Sequence, residues 1–321
     1  MTSSPTVSIV VPCYNAERWI QETLDSVFVQ TFADFEVIVV NDGSTDGSLK
    51  VLERVTDPRL RVFSQENRGQ TAALNRGLAE ARGAYIQYLD ADDLLHPEKL
   101  ARQMERLKGQ PGCIATAEWA RFYGSPAEAR FVPDGTWQDL APVDWLVESW
   151  KDGGGMLFPA LWLAPRDLIE RIGPWREDLT LNNDAEYFTR LVLASKRVLF
   201  CAGARAYYRS GVPGSLSGLK SEAGWRSQWQ VLEACERYLL SAEDSDRSRR
   251  SLAMLWQRFA HACYPYLPSL AEQAVRKGLS LHPVEASPGG GRAFHLVSKV
   301  LGWRIARRMQ HAYYRRRYAK P

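Results

Sequence analysis

Two periodicities alternate over the first hundred residues. Short β-branched and aromatic runs, VSIVVP (7–12), FEVIVVND (35–42), LRVFS (60–64) and AYIQYLD (84–90), have the near-continuous apolar character of strands buried on both faces. Between them, residues 16–28 carry Trp19, Ile20, Leu24, Val27 and Phe28 on one helical face, and residues 70–82 carry Ala73, Leu74, Leu78 and Ala81 likewise. Pro97 and Glu98 mark a further helix start, followed by a stripe of Leu100, Met104 and Leu107. This alternation predicts an α/β fold with a Rossmann-like, mostly parallel sheet flanked by helices. Beyond residue 110 the order loosens into aromatic segments (118–123 and 156–165), a helix over 185–195 and a strand within 196–209. Helix dominates from 219 to 281, HPVEASPGGGR reads as a linker, and a basic amphipathic segment follows. The expected organisation is a domain over 1–218, in halves 1–110 and 111–218, a helical extension over 219–285 and a tail over 286–321.

Composition narrows the class. A chain 45% hydrophobic and 24% charged is globular rather than disordered. Five scattered cysteines with no CxxC pair argue against a disulfide framework or a zinc site and for a reducing compartment. With no basic leader and no apolar stretch near the 18 or so residues of a membrane span, the expected location is cytoplasmic, at most peripheral on the inner face of the membrane. The net charge of +4 hides an asymmetry: residues 292–321 hold nine Lys/Arg and no acid, leaving 32 basic against 37 acidic residues elsewhere.

In open parallel sheets ligands lie at the carboxyl ends of the strands. Polar residues gather there: Tyr14, Asn15 and Glu17 after the first strand, Asn41 to Ser44 after the second, Glu66, Asn67 and Arg68 after the third, and Asp90, Asp92 and Asp93 after the fourth. Three carboxylates in four residues repel one another unless a cation or donor offsets them. A divalent cation bound together with a diphosphate needs one or two such carboxylates, although helix capping accounts for the same pattern. NDGSTDGS (41–48) reads either as a turn in which Asp46 caps the next helix or as a ligand turn in which Asp42 accepts from a base or ribose. Asp184, at a helix start, is a capping-turn residue or a general base, and Arg209 before GVPGSLSG is a diphosphate donor or part of a surface connection.

Taken in order, VSIVVPCYNAERWIQETLDSV, EVIVVNDGSTDGS, ENRGQTAALNRGLAEARGAYIQYLDADD and HPEKL resemble the family 2 glycosyltransferases, with their nucleotide-diphospho-sugar transferase or GT-A fold. LTLNNDAEYFTRLVLAS (179–195) is similar to that family's acidic motif before a helix. The resemblance implies Asp92 as metal ligand, with Asp90 touching the ribose or the metal, for Mn2+ or Mg2+. It implies Asp42 at the nucleobase, Pro12, Tyr14 and Glu17 lining the nucleotide pocket, and Asn67, Arg68 and Asn75 nearby. Asp184 takes the base position, with Glu186 as acceptor contact or alternative base. The activity implied is metal-dependent, inverting transfer from a nucleotide-sugar, expected to be a UDP-sugar, to a glycan or lipid-linked hydroxyl in cell-surface polysaccharide or glycolipid synthesis. WRSQW (225–229) is not the Gln-x-x-Arg-Trp of processive synthases, which favours single-sugar transfer.

Three other readings compete. A sugar-phosphate nucleotidyltransferase is disfavoured because its glycine-rich basic N-terminal loop is missing, and a dinucleotide oxidoreductase because no GxGxxG follows the first strand. A non-catalytic nucleotide-sugar binding module stays open. Trp145, Trp150 and Trp162 are sugar-stacking faces or core. In the tail, Phe294, Val297, Leu301, Ile305 and Met309 at helical spacing suit an anionic membrane surface or docking on the protein's own body, with nucleic acid not expected.

Overall fold

The computed structural model describes residues 4–212, 221–284 and 289–318. Residues 213–218 of the loop expected to close over a diphosphate, and 285–288 of the expected linker, lie outside the described residues. The chain divides into two compact units, 1–146 with 157–219, and 147–156 with 220–321.

In the first unit, strands β1 (Val7–Cys13), β2 (Phe35–Asp42), β3 (Leu60–Gln65), β4 (Tyr85–Tyr88) and β7 (Ala164–Pro165) form one sheet in the order β3-β2-β1-β4-β7. All pairs are parallel except β4 with β7. Strands β5 (Leu94–Leu95), β6 (Ile114–Phe122) and β8 (Val198–Arg209) form a second sheet, ordered β5-β8-β6. The helices of this region are α1 (Ile20–Phe28), α2 (Ser48–Glu53), α3 (Gln70–Glu80), α4 (Lys99–Leu107), α6 (Arg166–Ile172), α7 (Asn183–Ala194) and the first five residues of α5 (Pro142–Trp150), whose last four count with the second unit.

Strands β1 and β2 are buried along their whole length, whereas β3, at the sheet edge, alternates between partly buried and exposed positions. Helix α1 buries Ile20, Thr23, Leu24 and Val27, one face of a 3.6-residue period. Helix α3 comes close to the sheet because Gly77 has no side chain: a Cβ there would stand 2.3 Å from Cγ1 of Val10. At the amino end of the strands, Glu36 receives Arg82 through both backbone and guanidinium, Arg61 at 2.9 Å and the Ser8 hydroxyl at 2.8 Å. Burial alone would raise the Glu36 pKa, but the bonds from Arg82, Ser8 and Arg61 hold it below the usual carboxylate range. That end is thus closed by an ion cluster, and the opposite end is left to the polar turns.

The second unit holds α8 (Glu222–Ala242), α9 (Asp246–Cys263), α10 (Pro268–Leu281) and α11 (Arg292–Tyr318). Trp225, Leu232, Trp256, Phe259, Ala260, Cys263, Tyr264, Ala271 and Ala274 form its core. Gly278 of α10 lets the backbones approach, since a Cβ there would lie 3.2 Å from the Ala253 carbonyl oxygen of α9. The five cysteines are free and buried.

Candidate active site

At the end of β2, Asp42 is 2% exposed and its carboxylate organises the turn that follows β3. Oδ1 accepts from Gln65 Nε2 at 2.8 Å and the Arg68 N–H at 2.9 Å, and Oδ2 accepts from the Gly69 N–H at 2.8 Å. Gly43, with φ +69°, brings the two turns together: a Cβ on it would stand 2.7 Å from the Asn67 nitrogen. After β1 the chain turns through Asn15 in the left-handed region, and Asn15 Oδ1 accepts from the Thr45 N–H at 2.8 Å. Glu17 Oε2 accepts from the Gly47 N–H at 2.9 Å, so Glu17 ties the first turn to the second. Asp46 receives the Ser48 N–H at 2.9 Å from just outside α2, whose N-cap position is Gly47 and carries no side-chain cap. Pro12 is buried within β1, and Tyr14 is half-exposed just beyond it.

The acidic run follows β4. Gln70 Nε2, at the start of α3, donates to Asp90 Oδ1 at 2.8 Å, and Asn183 reaches Gln70 Oε1 at 3.5 Å. Burial first, then the charges of Asp92 and Asp184, push Asp90 up to about 8. Asp92 is raised by burial, with Arg209 opposing. Asp93 is fully buried, its Oδ1 takes the Arg209 N–H at 2.8 Å, and among the described residues Oδ2 has no partner. Burial and the charges of Asp92 and Asp90 hold Asp93 well above the usual range.

Asp184 sits in the first turn of α7, which enters through Asn182 in the left-handed region with no side-chain cap. Its Oδ1 accepts the Ala185 N–H at 2.8 Å, and burial raises its pKa against that bond. Glu186, 1% exposed, faces the protein and is gripped by the Arg190 guanidinium through two bonds of 2.9 Å. Arg190 also donates to the carbonyls of Ile172 and Pro174 at 2.5 and 3.0 Å, fastening α7 to the end of α6. The charges of Asp92 and Asp184 therefore act on Asp90, while Glu186 is taken up by an ion pair.

An aromatic wall lies beside this cluster. Tyr187 stacks on Trp175 with centroids 3.8 Å apart and planes 2° from parallel, and its hydroxyl is 3.1 Å from that of Tyr88. Asn75 brackets Trp175, donating to its carbonyl at 2.9 Å and accepting from its N–H at 2.8 Å. Arg68, largely exposed, pairs with Glu177 at 3.2 Å. Asn67 is exposed beside Gly43. Arg209, 4% exposed, lies between the rings of Trp19 and Phe122, each 4.5 Å away, and donates to the Asp92 carbonyl at 2.8 Å and to Glu22 at 2.6 Å. Trp145, Trp150 and Trp162 are each at most 2% exposed, so none presents a stacking face.

Gln65, Glu22 and Trp175 were invisible to sequence reasoning. Gln70 had a faint signal, as a polar residue opening a helix at the ligand end of the sheet. The pairing of Glu22 with Arg209 had none, the two being 187 residues apart. Among the described residues no three His, Cys, Asp or Glu side chains converge as an ion cage. The donor set nonetheless fits a hard divalent cation that shares its shell with phosphate, because Asp90 and Asp92 offer oxygens whose repulsion a cation would relieve.

The chain resembles the uncharacterized glycosyltransferase EpsJ of Bacillus subtilis (strain 168), 44% identical over 103 residues, which is 32% of this chain and 30% of that protein. It is also 44% identical over 96 residues to the chondroitin synthase of Pasteurella multocida (strain Pm70), covering 29% of this chain and 10% of that one. The chain thus spans less than a third of the length of either of these curated relatives. Among solved structures, S. aureus TarS 1–349 in complex with UDP-GlcNAc superposes with a TM-score of 0.63 at 19% identity, covering 86% of this chain and 89% of that one. The mannosyltransferase PcManGT from Pyrobaculum calidifontis, in complex with GDP-Man and Mn2+, gives 0.56 at 21% identity, covering 100% and 89%. These likenesses show the GT-A fold. The description "Glycosyl transferase family 2" matches residues 8–170, just over half of the 321, and that match takes in Asp42 and the whole acidic run. On that match, the chain belongs to glycosyl transferase family 2.

Proposed function

We propose that the protein transfers a single sugar from a nucleotide-diphospho-sugar to a hydroxyl acceptor with inversion at the anomeric carbon. The observation that carries this reading is the burial of Asp90 at the carboxyl end of the sheet, beside the charges of Asp92 and Asp184, which together lift it to about 8. Carboxylates held together at such cost are a mark of functional sites.

Asp42 supports a uridine donor. A carboxylate offers about four acceptor positions, and three here are filled by Gln65, Arg68 and Gly69, leaving one on Oδ2. One position suits the single ring N–H of uracil better than the paired donors of guanine. Asp92, with Asp90, would hold a divalent cation, which supplies charge neutralisation for the departing diphosphate. Asp184 takes the acceptor proton as the acceptor oxygen bonds to the anomeric carbon and the bond to the diphosphate oxygen breaks on the opposite face. A carboxylate raised by burial is a better base than an exposed one, which favours this role. Glu186, neutralised by Arg190, positions α7 instead.

The test is calorimetric titration of UDP, GDP, CDP and dTDP, each with manganese, magnesium or chelator, into wild type, Asp92→Asn and Asp184→Asn, followed by donor turnover with acceptor extracts. Asp92→Asn should abolish metal-dependent binding, while Asp184→Asn should leave binding intact and cut turnover on the order of a hundredfold or more. Unchanged metal-dependent affinity in the first variant sinks the metal assignment. Full turnover in the second removes Asp184 as base.

A further inference from the structure

Helix α11 is apolar on two sides, and only one of them is covered. Gly302, at φ +79° and ψ 154°, divides it into 292–301 and 303–318. On the covered side, the Trp303 ring meets His261 at 4.5 Å and Tyr264 at 5.1 Å, Ala306 is 3% exposed, and Arg304 grips Glu272 at 2.6 and 2.8 Å. Phe294 is buried in the first half. The helix is therefore docked on its own unit, which was one of the alternatives left open by its sequence.

Docking does not use the other side. In the second half Ile305 and Met309, four residues apart, are each about half exposed, at 46% and 52%, and Leu301, the last residue before the break at Gly302, is 50% exposed. Leu296 and Val300 extend the apolar surface in the first half at 68% and 76%. Lys299 and Arg308 are exposed, Arg308 with its guanidinium over the Tyr264 ring at 5.3 Å, and the whole of 292–321 carries nine basic residues and no acid.

We propose that this uncovered stripe lies on an anionic lipid bilayer surface, with its leucine, isoleucine and methionine side chains in the headgroup–acyl boundary and the basic residues against phosphate headgroups. Charge selects the occupant. A second copy of the chain would bring two all-positive helices face to face, whereas an anionic bilayer offers both an apolar layer and the opposite charge. Nucleic acid would match the charge but leave the aliphatic stripe in water. No helix among the described residues is long and apolar enough to cross a membrane, so the contact is one of lying on the surface. The inference stands on the second unit alone and does not depend on the transfer chemistry.

The experiment is co-sedimentation of the full chain with vesicles of pure phosphatidylcholine and of phosphatidylcholine mixed with phosphatidylglycerol. Binding to the anionic vesicles only, weakened by added salt and reduced about tenfold or more by Ile305→Gln with Met309→Gln, is the expected result. Both positions are solvent-exposed, so circular dichroism and melting of the double variant should match wild type, and Leu296→Gln with Val300→Gln provides an independent second variant. Three results overturn the proposal: no binding to anionic vesicles; binding that neither double variant weakens, which would signify charge alone; or a dimer in light scattering that Ile305→Gln with Met309→Gln dissolves, which would assign the stripe to self-association.

Discussion

The backbone N–H of Arg209 donates to Oδ1 of Asp93 over 2.8 Å, and that aspartate has no solvent exposure. The bond joins the last residue of β8 to the acidic run, two segments more than a hundred residues apart in sequence. Burial, with the charges of Asp92 and Asp90, raises the Asp93 carboxyl well above its ordinary range and so favours its neutral form. Asparagine should therefore substitute with a change within about 1 kcal/mol, whereas Asp93→Ala leaves the Arg209 N–H unpaired and should cost about 1–3 kcal/mol. Urea midpoints of the two variants distinguish these outcomes.

Asn75 lies in a segment that resembles a nucleotide-binding motif, but both ends of its amide are engaged by the Trp175 backbone. Asn75→Ala should lower stability by about 1–3 kcal/mol, through unpaired buried backbone groups. Nucleotide affinity measured by calorimetry at a temperature well below the melt should be unchanged. A large loss of affinity at full stability would restore Asn75 to the pocket.

Gly43 combines a positive φ of 69° with a Cβ position 2.7 Å from the Asn67 nitrogen. Gly43→Ala should destabilise by about 1–3 kcal/mol and also weaken nucleotide binding, because the strain falls on the turn whose Arg68 and Gly69 N–H groups hold Asp42. Thermal melts with and without nucleotide diphosphate measure both effects.

Lys99 is fully buried, donates to Gln87 at 2.5 Å and Gln103 at 2.6 Å, and is pulled down to about 7 by burial. Between about pH 7 and its ordinary value of 10.5 the unfolded chain binds the proton that the native chain has lost. Stability from this group accordingly rises with pH across that window, by at most about 5 kcal/mol at about 1.4 kcal/mol per pKa unit. Buried thiols pushed up to about 11 or 12, at Cys13, Cys201 and Cys263, work in the opposite direction above their ordinary value. The informative quantity is therefore the difference between wild type and Lys99→Met: their stability gap should narrow or reverse as pH falls towards 7. Parallel stability–pH curves would mean that Lys99 stays charged in the native state.

The sheet was legible because its strands announce themselves through local composition. VSIVVP and FEVIVVND become β1 and β2 nearly to the residue, since buried parallel strands need unbroken β-branched runs. The helix over 185–195 and the stripe through Leu100 and Leu107 appear for the same reason, as one-face periodicity. What stayed hidden depends on contacts remote in sequence. Nothing near Glu22 shows that Arg209 will reach it, and nothing near Gln70 shows that its amide will meet Asp90. The stretch from Trp145 to Trp162 was illegible because its tryptophans read alike as core or platform until burial assigned them to core.

Asp90 comes off the first sheet through β4, and Asp92 and Asp93 lead directly into Leu94 of β5, which pairs with Tyr207 and Ala206 of β8 in the second. The acidic run is thus a suture between two sheets rather than an ornament on one. The bite between its carboxylates is set by how the sheets are registered, in the way a caliper's gap is set by its frame. With the proposed cation on Asp92 and Asp90, packing defects along β8 should reveal themselves first as a changed preference between smaller and larger divalent ions, while the fold itself still holds.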